Sequence, residues 1–202
     1  ALWACARDVT IAPTSVKREG ATIVCGIDEA GRGPLAGPVT AAAVILGGRF
    51  PDERLDDSKV VHPQTREELA PLIREHSRAW AVGWAWPEEI DRINIHHATL
   101  LAMVRAFRGL DVTPGLVLVD GRFALAVGAP CRAEIDGDAR IPEIMAASIL
   151  AKTARDRWMV RYARIDDRYG FESHFGYATR SHRERLRLHG PSPIHRRSFK
   201  LC

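Results

Sequence analysis

The sequence contains no uninterrupted apolar run of the roughly 18 residues that a membrane-spanning helix needs, so no membrane partner is expected. Cysteine is scarce: Cys5, Cys25, Cys131 and Cys202 are scattered and none forms a C-x-x-C pair. That spacing argues against a zinc ribbon or a thioredoxin-like site and fits free thiols in a reducing compartment. The first fifteen residues lack a basic segment followed by an apolar stretch, so no secretory leader is expected and the expected location is the cytoplasm. Internal repeats and low-complexity tracts are also absent. Lysine is nearly so, with four against 25 arginines.

What remains is a 202-residue chain with 46% hydrophobic residues, enough for one α/β domain with a small appendage. The net charge of +4 is unevenly spread. From Arg161 to Cys202 ten Lys/Arg face four Asp/Glu, a local +6, whereas the first 160 residues carry 19 against 21, a local −2. A basic segment beside an acidic site suits a polyanionic substrate.

The acidic site is announced by Gly26-Ile27-Asp28-Glu29-Ala30-Gly31-Arg32-Gly33-Pro34-Leu35-Ala36-Gly37-Pro38. Two adjacent carboxylates end an apolar run and lead into a Gly-rich loop, whose free N–H groups can hold anions. The loop superficially resembles a dinucleotide fingerprint. That fingerprint requires a helix to open at the loop, and here Pro34 and Pro38 interrupt it before a second apolar run, Val39 to Leu46. Leu116 to Val119 ends on Asp120-Gly121, and Asp136-Gly137-Asp138 precedes a long helical pattern. Carboxylates at the ends of separate strands can converge beyond the strand termini. Clustered like charges call for a cation, and oxygen-only ligands favour Mg2+ or Mn2+ over zinc. Adjacent strand residues point to opposite faces. Asp28 and Glu29 are therefore expected to share a metal only if the strand ends or bends between them.

Periodicity predicts strands over 21–28, 39–46, 79–86, 116–119 and 132–135, and helices over 62–77, 94–108 and 142–162. The first two strands are expected to be antiparallel neighbours and the later ones parallel additions. Trp80, Val82, Trp84 and Trp86 alternate as one packed face of a strand. Pro71 weakens the first helix. Ser181 and Glu184 are spaced as a capping box, and Gly190 would end that last helix. His195 is expected to serve in packing or capping rather than in the acidic cluster. Residues 1–20 read as an arm, 21–165 as the main domain and 166–202 as a basic, partly helical extension.

Taken in order, several blocks resemble the ribonuclease HII (type 2 ribonuclease H) family. They are the Gly26–Pro34 run, Asp57-Ser58-Lys59, Asn94-Ile95-His96-His97-Ala98-Thr99, Val119-Asp120-Gly121, Gly137-Asp138 and Ala146-Ala147-Ser148-Ile149-Leu150-Ala151-Lys152. Tyr169-Gly170-Phe171, Gly176-Tyr177 and His195-Arg196-Arg197-Ser198-Phe199 complete the pattern. The resemblance implies an α/β ribonuclease H-like fold, a five-stranded mixed sheet flanked by helices with a helical C-terminal extension. It implies an endonuclease, acting as a monomer, that hydrolyses the RNA strand of RNA–DNA hybrids. It also implies incision 5′ of single ribonucleotides in duplex DNA, by two-metal hydrolysis leaving 3′-hydroxyl and 5′-phosphate ends.

Residue by residue, the resemblance implies that Asp28, Glu29, Asp120 and Asp138 are the catalytic and metal-binding acids. Gly31, Arg32 and Gly33 match the loop that senses the 2′-hydroxyl, and Tyr177 matches the tyrosine at the RNA-to-DNA junction. Lys59, Asn94, Ser148 and Lys152 fall in blocks associated with the nucleic-acid backbone. One position departs from the pattern: Asp136 stands where most bacterial members carry lysine. Two other readings remain, another metal-dependent nuclease of this fold and a nucleic-acid-binding protein without catalysis. Four retained acids weigh against the second, because carboxylates repel phosphate unless a cation is present.

Overall fold

The computed structural model describes residues 22–48, 50 and 63–201. The expected arm and Lys59 lie outside the described residues. Strands β1 (Val24–Ala30), β2 (Val39–Leu46), β3 (Ser77–Ala85), β4 (Leu116–Asp120) and β5 (Cys131–Glu134) form one sheet in the order β3-β2-β1-β4-β5. The helices are α1 (Pro63–His76), α2 (Pro87–Arg108), α3 (Pro142–Ala163), α4 (Phe171–His174) and α5 (Arg180–His189). No helix among the described residues is long and apolar enough to cross a membrane.

The expected parallel additions hold for β4 and β5 and fail for β3, which pairs antiparallel with β2. The cause is where α1 delivers the chain. Its last residue, His76, is followed at once by Ser77, which pairs with Leu46 at the end of β2. The next strand therefore starts where the previous one stopped and must run back.

Strand alternation divides the sheet's burial between two cores. Cys25, Ile27, Ala41, Ala43, Val117 and Val119 face α2, with Ile90, Ala98, Ala102 and Ala106 packed on them. Ala30, Ala42 and Val44 face α1 and α3, meeting Ile73, Met145, Ala146 and Leu150. On β3 the small residues Ala79, Ala81 and Ala85 are the buried set, while Trp80, Val82 and Trp84 on the other face are half-covered. Gly26 lets α3 approach β1 closely, since a Cβ there would lie 2.1 Å from the Glu143 carbonyl carbon. That contact carries Ser148 to the end of β1.

Two helix starts differ from expectation. α2 begins at Pro87, seven residues earlier than the pattern suggested, where the Glu89 carboxylate accepts the Trp86 N–H at 2.9 Å. It kinks at Asn94, whose backbone takes φ 64° and ψ 166°. Asn94 Oδ1 accepts the His97 N–H at 3.1 Å and so caps the second half. α5 is capped by Thr179, which accepts the His182 N–H at 3.2 Å, and Ser181 lies inside the helix rather than capping it. Gly190 ends it as expected. α1 continues through Pro71.

The segment after α3 builds a third core from Tyr169, Phe171, Leu186 and Ile194, with Ala36 and the α3 residues Met159, Tyr162 and Ala163 packed against them. Backbone bonds tie the two together: Leu35 N–H to Gly176 O at 2.8 Å, Gly37 N–H to Ile194 O at 2.9 Å and Arg196 N–H to Leu35 O at 2.9 Å.

Candidate active site

Parallel pairing of Ile27 with Val119 leaves Asp28 and Asp120 side by side, on the sheet face toward α3, where β4 runs out. Asp28 is buried at 5% exposure. Its Oδ1 accepts the Glu29 N–H at 2.7 Å. Burial holds its carboxyl well above the usual carboxylate range; the charges of Glu29 and Asp120 add to this, while a bond from the Ser148 side chain opposes it. Asp120 is raised too, first by burial and then by the charges of Asp138 and Asp136, against bonds from two backbone N–H groups. Those bonds come from Gly137 at 2.8 Å and Asp138 at 3.3 Å, so Asp120 organises the turn that carries the fourth acid.

The expected end or bend between Asp28 and Glu29 does not occur. β1 stays regular through Ala30, with Glu29 paired to Ala41 and Ala30 to Thr40. What changes is the neighbour. β4 stops at Asp120, so beyond Asp28 that flank of β1 is open and Glu29 borders the cleft from there. Glu29 Oε1 accepts Arg32 Nη1 at 3.2 Å. Asp138 lies in a 3-10 turn, Gly137–Ala139, on the exposed rim. Among the described residues, no three His, Cys, Asp or Glu side chains already converge as metal ligands.

Beside the acids lies a cleft of about 350 Å³ lined by Glu29, Ala30, Gly31, Arg32, Gly33, Ser148, Lys152 and Tyr177. The two loop glycines differ in what they need. Gly31 has φ +94°, and a Cβ there would sit 2.1 Å from Arg155 Nε, inside another side chain. At Gly33 a Cβ would meet nothing nearer than Tyr177 Cε1 at 4.0 Å. The protein itself has room for a side chain at position 33; the space lies on the cleft side. The N–H groups of Arg32 and Gly33 take no partner among the described residues. Tyr177 is 40% exposed, unusual for so large a ring. Lys152 Nζ stands 5.4 Å from its ring centre and 5.2 Å from that of Phe175, and is paired with Asp156 at 2.8 Å.

Of the residues expected from sequence, the structure gathers Glu29, Gly31, Arg32, Gly33, Ser148, Lys152 and Tyr177 around one cleft, with Asp28 and Asp120 behind it. Asn94 does not line it, and its side chain is engaged with His97 at the α2 kink. Asp136 takes left-handed backbone, φ 53°, and its charge reaches Asp120. His195 is buried against Tyr169 and Phe171, its Nδ1 accepting the Ser192 N–H at 2.9 Å, in agreement with a packing role. Sequence reasoning missed Arg155 and the individual part of Arg196, both fully buried beneath the loop.

The ribonuclease HII family model matches residues 25–202. The ribonuclease HII of Chlorobium luteolum is 55% identical over 184 residues, covering 88% of this chain and 88% of that protein. The one from Chlorobaculum parvum is 53% identical over 188 residues, covering 91% and 92%. Among solved structures, the ribonuclease H2 of Pyrococcus horikoshii superimposes with a TM-score of 0.74 at 26% identity, covering 88% of this chain and 94% of that one.

Proposed function

Because the chain belongs to the ribonuclease HII family, endonucleases that hydrolyse RNA in RNA–DNA hybrids, we propose that Asp28, Glu29, Asp120 and Asp138 are its catalytic centre. The observation that carries the assignment is the pair Asp28–Asp120. Two carboxylates stand side by side on neighbouring strands, each raised by burial and by surrounding negative charge. Such a pair is short of positive charge, and an oxygen-only set fits Mg2+ or Mn2+. Asp28 and Asp120 would hold the ions from fixed positions, with Glu29 and Asp138 turning in from the open flank and the rim. When bound, the ions supply an activated water and the charge that stabilises the leaving 3′ oxygen.

The chain's own groups do the positioning. Ser148 orients Asp28, and the N–H groups of Gly137 and Asp138 orient Asp120. Selectivity needs contact with the 2′-hydroxyl, which separates RNA from DNA at a given site. The unpartnered N–H groups of Arg32 and Gly33 can donate to it, and the space at Gly33 admits the sugar. Tyr177, with its ring exposed 4.0 Å from that space, abuts the next nucleotide. Lys152, Asn94 and Lys59 serve the nucleic-acid backbone. The protein works as a monomer in the cytoplasm on hybrids and on duplex DNA carrying single ribonucleotides. It cuts on the 5′ side and leaves 3′-hydroxyl and 5′-phosphate ends.

Two end-labelled duplexes test this, one all-hybrid and one with a single ribonucleotide, each in Mg2+, in Mn2+ and in chelator. The expected products carry 3′-hydroxyl ends and require the metal. Cleavage that persists in chelator, or an all-deoxyribonucleotide duplex cut equally well, would refute the reading.

A further inference from the structure

Two arginines lie entirely beneath the Gly31–Pro38 segment, each with 0% exposure. Arg196 donates from Nε to Gly37 O at 2.9 Å, from Nη1 to Arg32 O at 2.9 Å, and from Nη2 to Gly31 O at 2.5 Å and Pro38 O at 3.1 Å. Arg155 donates to Pro38 O, Ala36 O and Phe175 O, each at 3.0 Å. With the Arg196 N–H taking Leu35 O, six of the eight carbonyls of Gly31–Pro38 are drawn inward. Arg155 also stands 5.9 Å from the Tyr177 ring centre, so one guanidinium lies near both the loop and the tyrosine that line the cleft.

A peptide unit whose carbonyl is fixed inward has its N–H turned the other way. We propose that Arg155 and Arg196 are positioning residues for substrate reading: by holding the loop carbonyls from below, they aim the N–H groups of Arg32 and Gly33 at the ribonucleotide. This rests on the reading of the loop given above. Buried guanidinium pairs are costly, and a structural role alone could be filled by apolar residues of similar size. Arg155 finds a carboxylate only at 4.0 Å, from Asp156, and Arg196 makes no ion pair among the described residues. Their partners are carbonyl oxygens, which a five-donor planar fork suits and a lysine does not. Burial lowers Arg155 to about 10 and Arg196 to about 9, Arg196 being depressed further by the neighbouring Arg155 charge, so both remain cations at neutral pH. Their charge lies under the N–H face and adds positive potential where an anionic substrate arrives.

The test uses Arg196→Lys, which keeps a cation but not the fork. KM is measured for a duplex with one ribonucleotide, and Ki for the same duplex in all-deoxyribonucleotide form as competitor. The expected result is a ratio of Ki to KM at least fivefold lower than in the unaltered protein, through a raised KM, with a smaller fall in kcat. A variant that loses kcat in step with its folded fraction, by circular dichroism, and keeps the ratio would overturn the proposal. Arg155→Lys is measured in the same way.

A second measurement needs no variant. The Nε–H protons of Arg155 and Arg196 in the unaltered protein are followed by NMR together with the Arg32 and Gly33 amides, without divalent ion. All four signals are expected to move on adding the ribonucleotide duplex, and to move less with the all-deoxyribonucleotide one. Responsive amides with silent Nε–H signals would sink the arginine roles and leave the loop reading intact. Silent amides would sink the loop reading itself.

Discussion

Gly31→Ala and Gly33→Ala lie two residues apart and are expected to fail in opposite ways. At position 31 the backbone has φ +94°, where a side chain costs about 1–2 kcal/mol. The new methyl would also fall 2.1 Å from Arg155 Nε, and displacing a buried, bonded side chain adds about 1–3 kcal/mol. A loss of roughly 2–5 kcal/mol corresponds to a melting temperature lower by about 5–15 °C in a domain of this size. At position 33 the nearest atom is 4.0 Å away and the backbone is not in the left-handed region. Stability there should stay within about 0.5 kcal/mol of the starting protein. Activity should not: the methyl would occupy the space assigned to the sugar, and kcat/KM on a single-ribonucleotide duplex should fall about 100-fold, or about 2.7 kcal/mol. Thermal melting and steady-state cleavage on the same two preparations decide the matter. A folded Gly33→Ala with unchanged kcat/KM would refute the assignment of that space to substrate, and a Gly31→Ala as stable as its parent would refute the packing argument.

Asp28→Asn and Asp120→Asn should each nearly abolish cleavage in Mg2+ with the circular dichroism spectrum unchanged. Because the folded protein raises the Asp28 pKa, its ionised form opposes folding near neutral pH, so metal-free Asp28→Asn should melt higher than its parent; a lower melting temperature contradicts that sign. His182 Nε2 and His195 Nε2 are 3.0 Å apart, and burial holds His195 down to about 4, below its unfolded value near 6.5. Protons then bind the unfolded chain preferentially between those values, so stability is present above pH 6.5 and is lost toward pH 4. By pH 5 the loss should be about 2 kcal/mol in urea titrations, and the acid slope should shrink in His195→Gln. Asp136→Lys should lower KM at saturating Mg2+, since a charge that reaches Asp120 changes sign; an equal or higher KM means that position 136 points away from the duplex.

The acids were legible because each of Asp28 and Asp120 ends an apolar run, and strand ends of an α/β sheet converge by topology alone. For Glu29 the expected end or bend of β1 is absent. Sequence shows that neighbours alternate, but not that β4 stops early and opens a flank. The direction of β3 depended on where α1 returns the chain, which periodicity does not encode. The Asn94 kink and the Thr179 cap are choices among adjacent polar residues that only tertiary packing settles. Arg155 and Arg196 were hidden for a different reason. In a chain with 25 arginines, a buried one looks like any other charged helix or loop position. Their partners in the Gly31–Pro38 segment lie 117 to 165 residues away.

That separation has a consequence for synthesis. Chains emerge from the N-terminus and fold as they lengthen. All four acids and the Gly31–Gly33 segment emerge well before Arg196. Until that residue arrives, the carbonyls of Gly31, Arg32 and Gly37 lack the fork that takes them inward. A product stopped short of Arg196 would keep all four proposed metal-binding carboxylates, yet lack the fork that holds the carbonyls behind the Arg32 and Gly33 amides. On the proposed reading, Arg196 therefore ties discrimination between RNA and DNA to a segment made after all four acids.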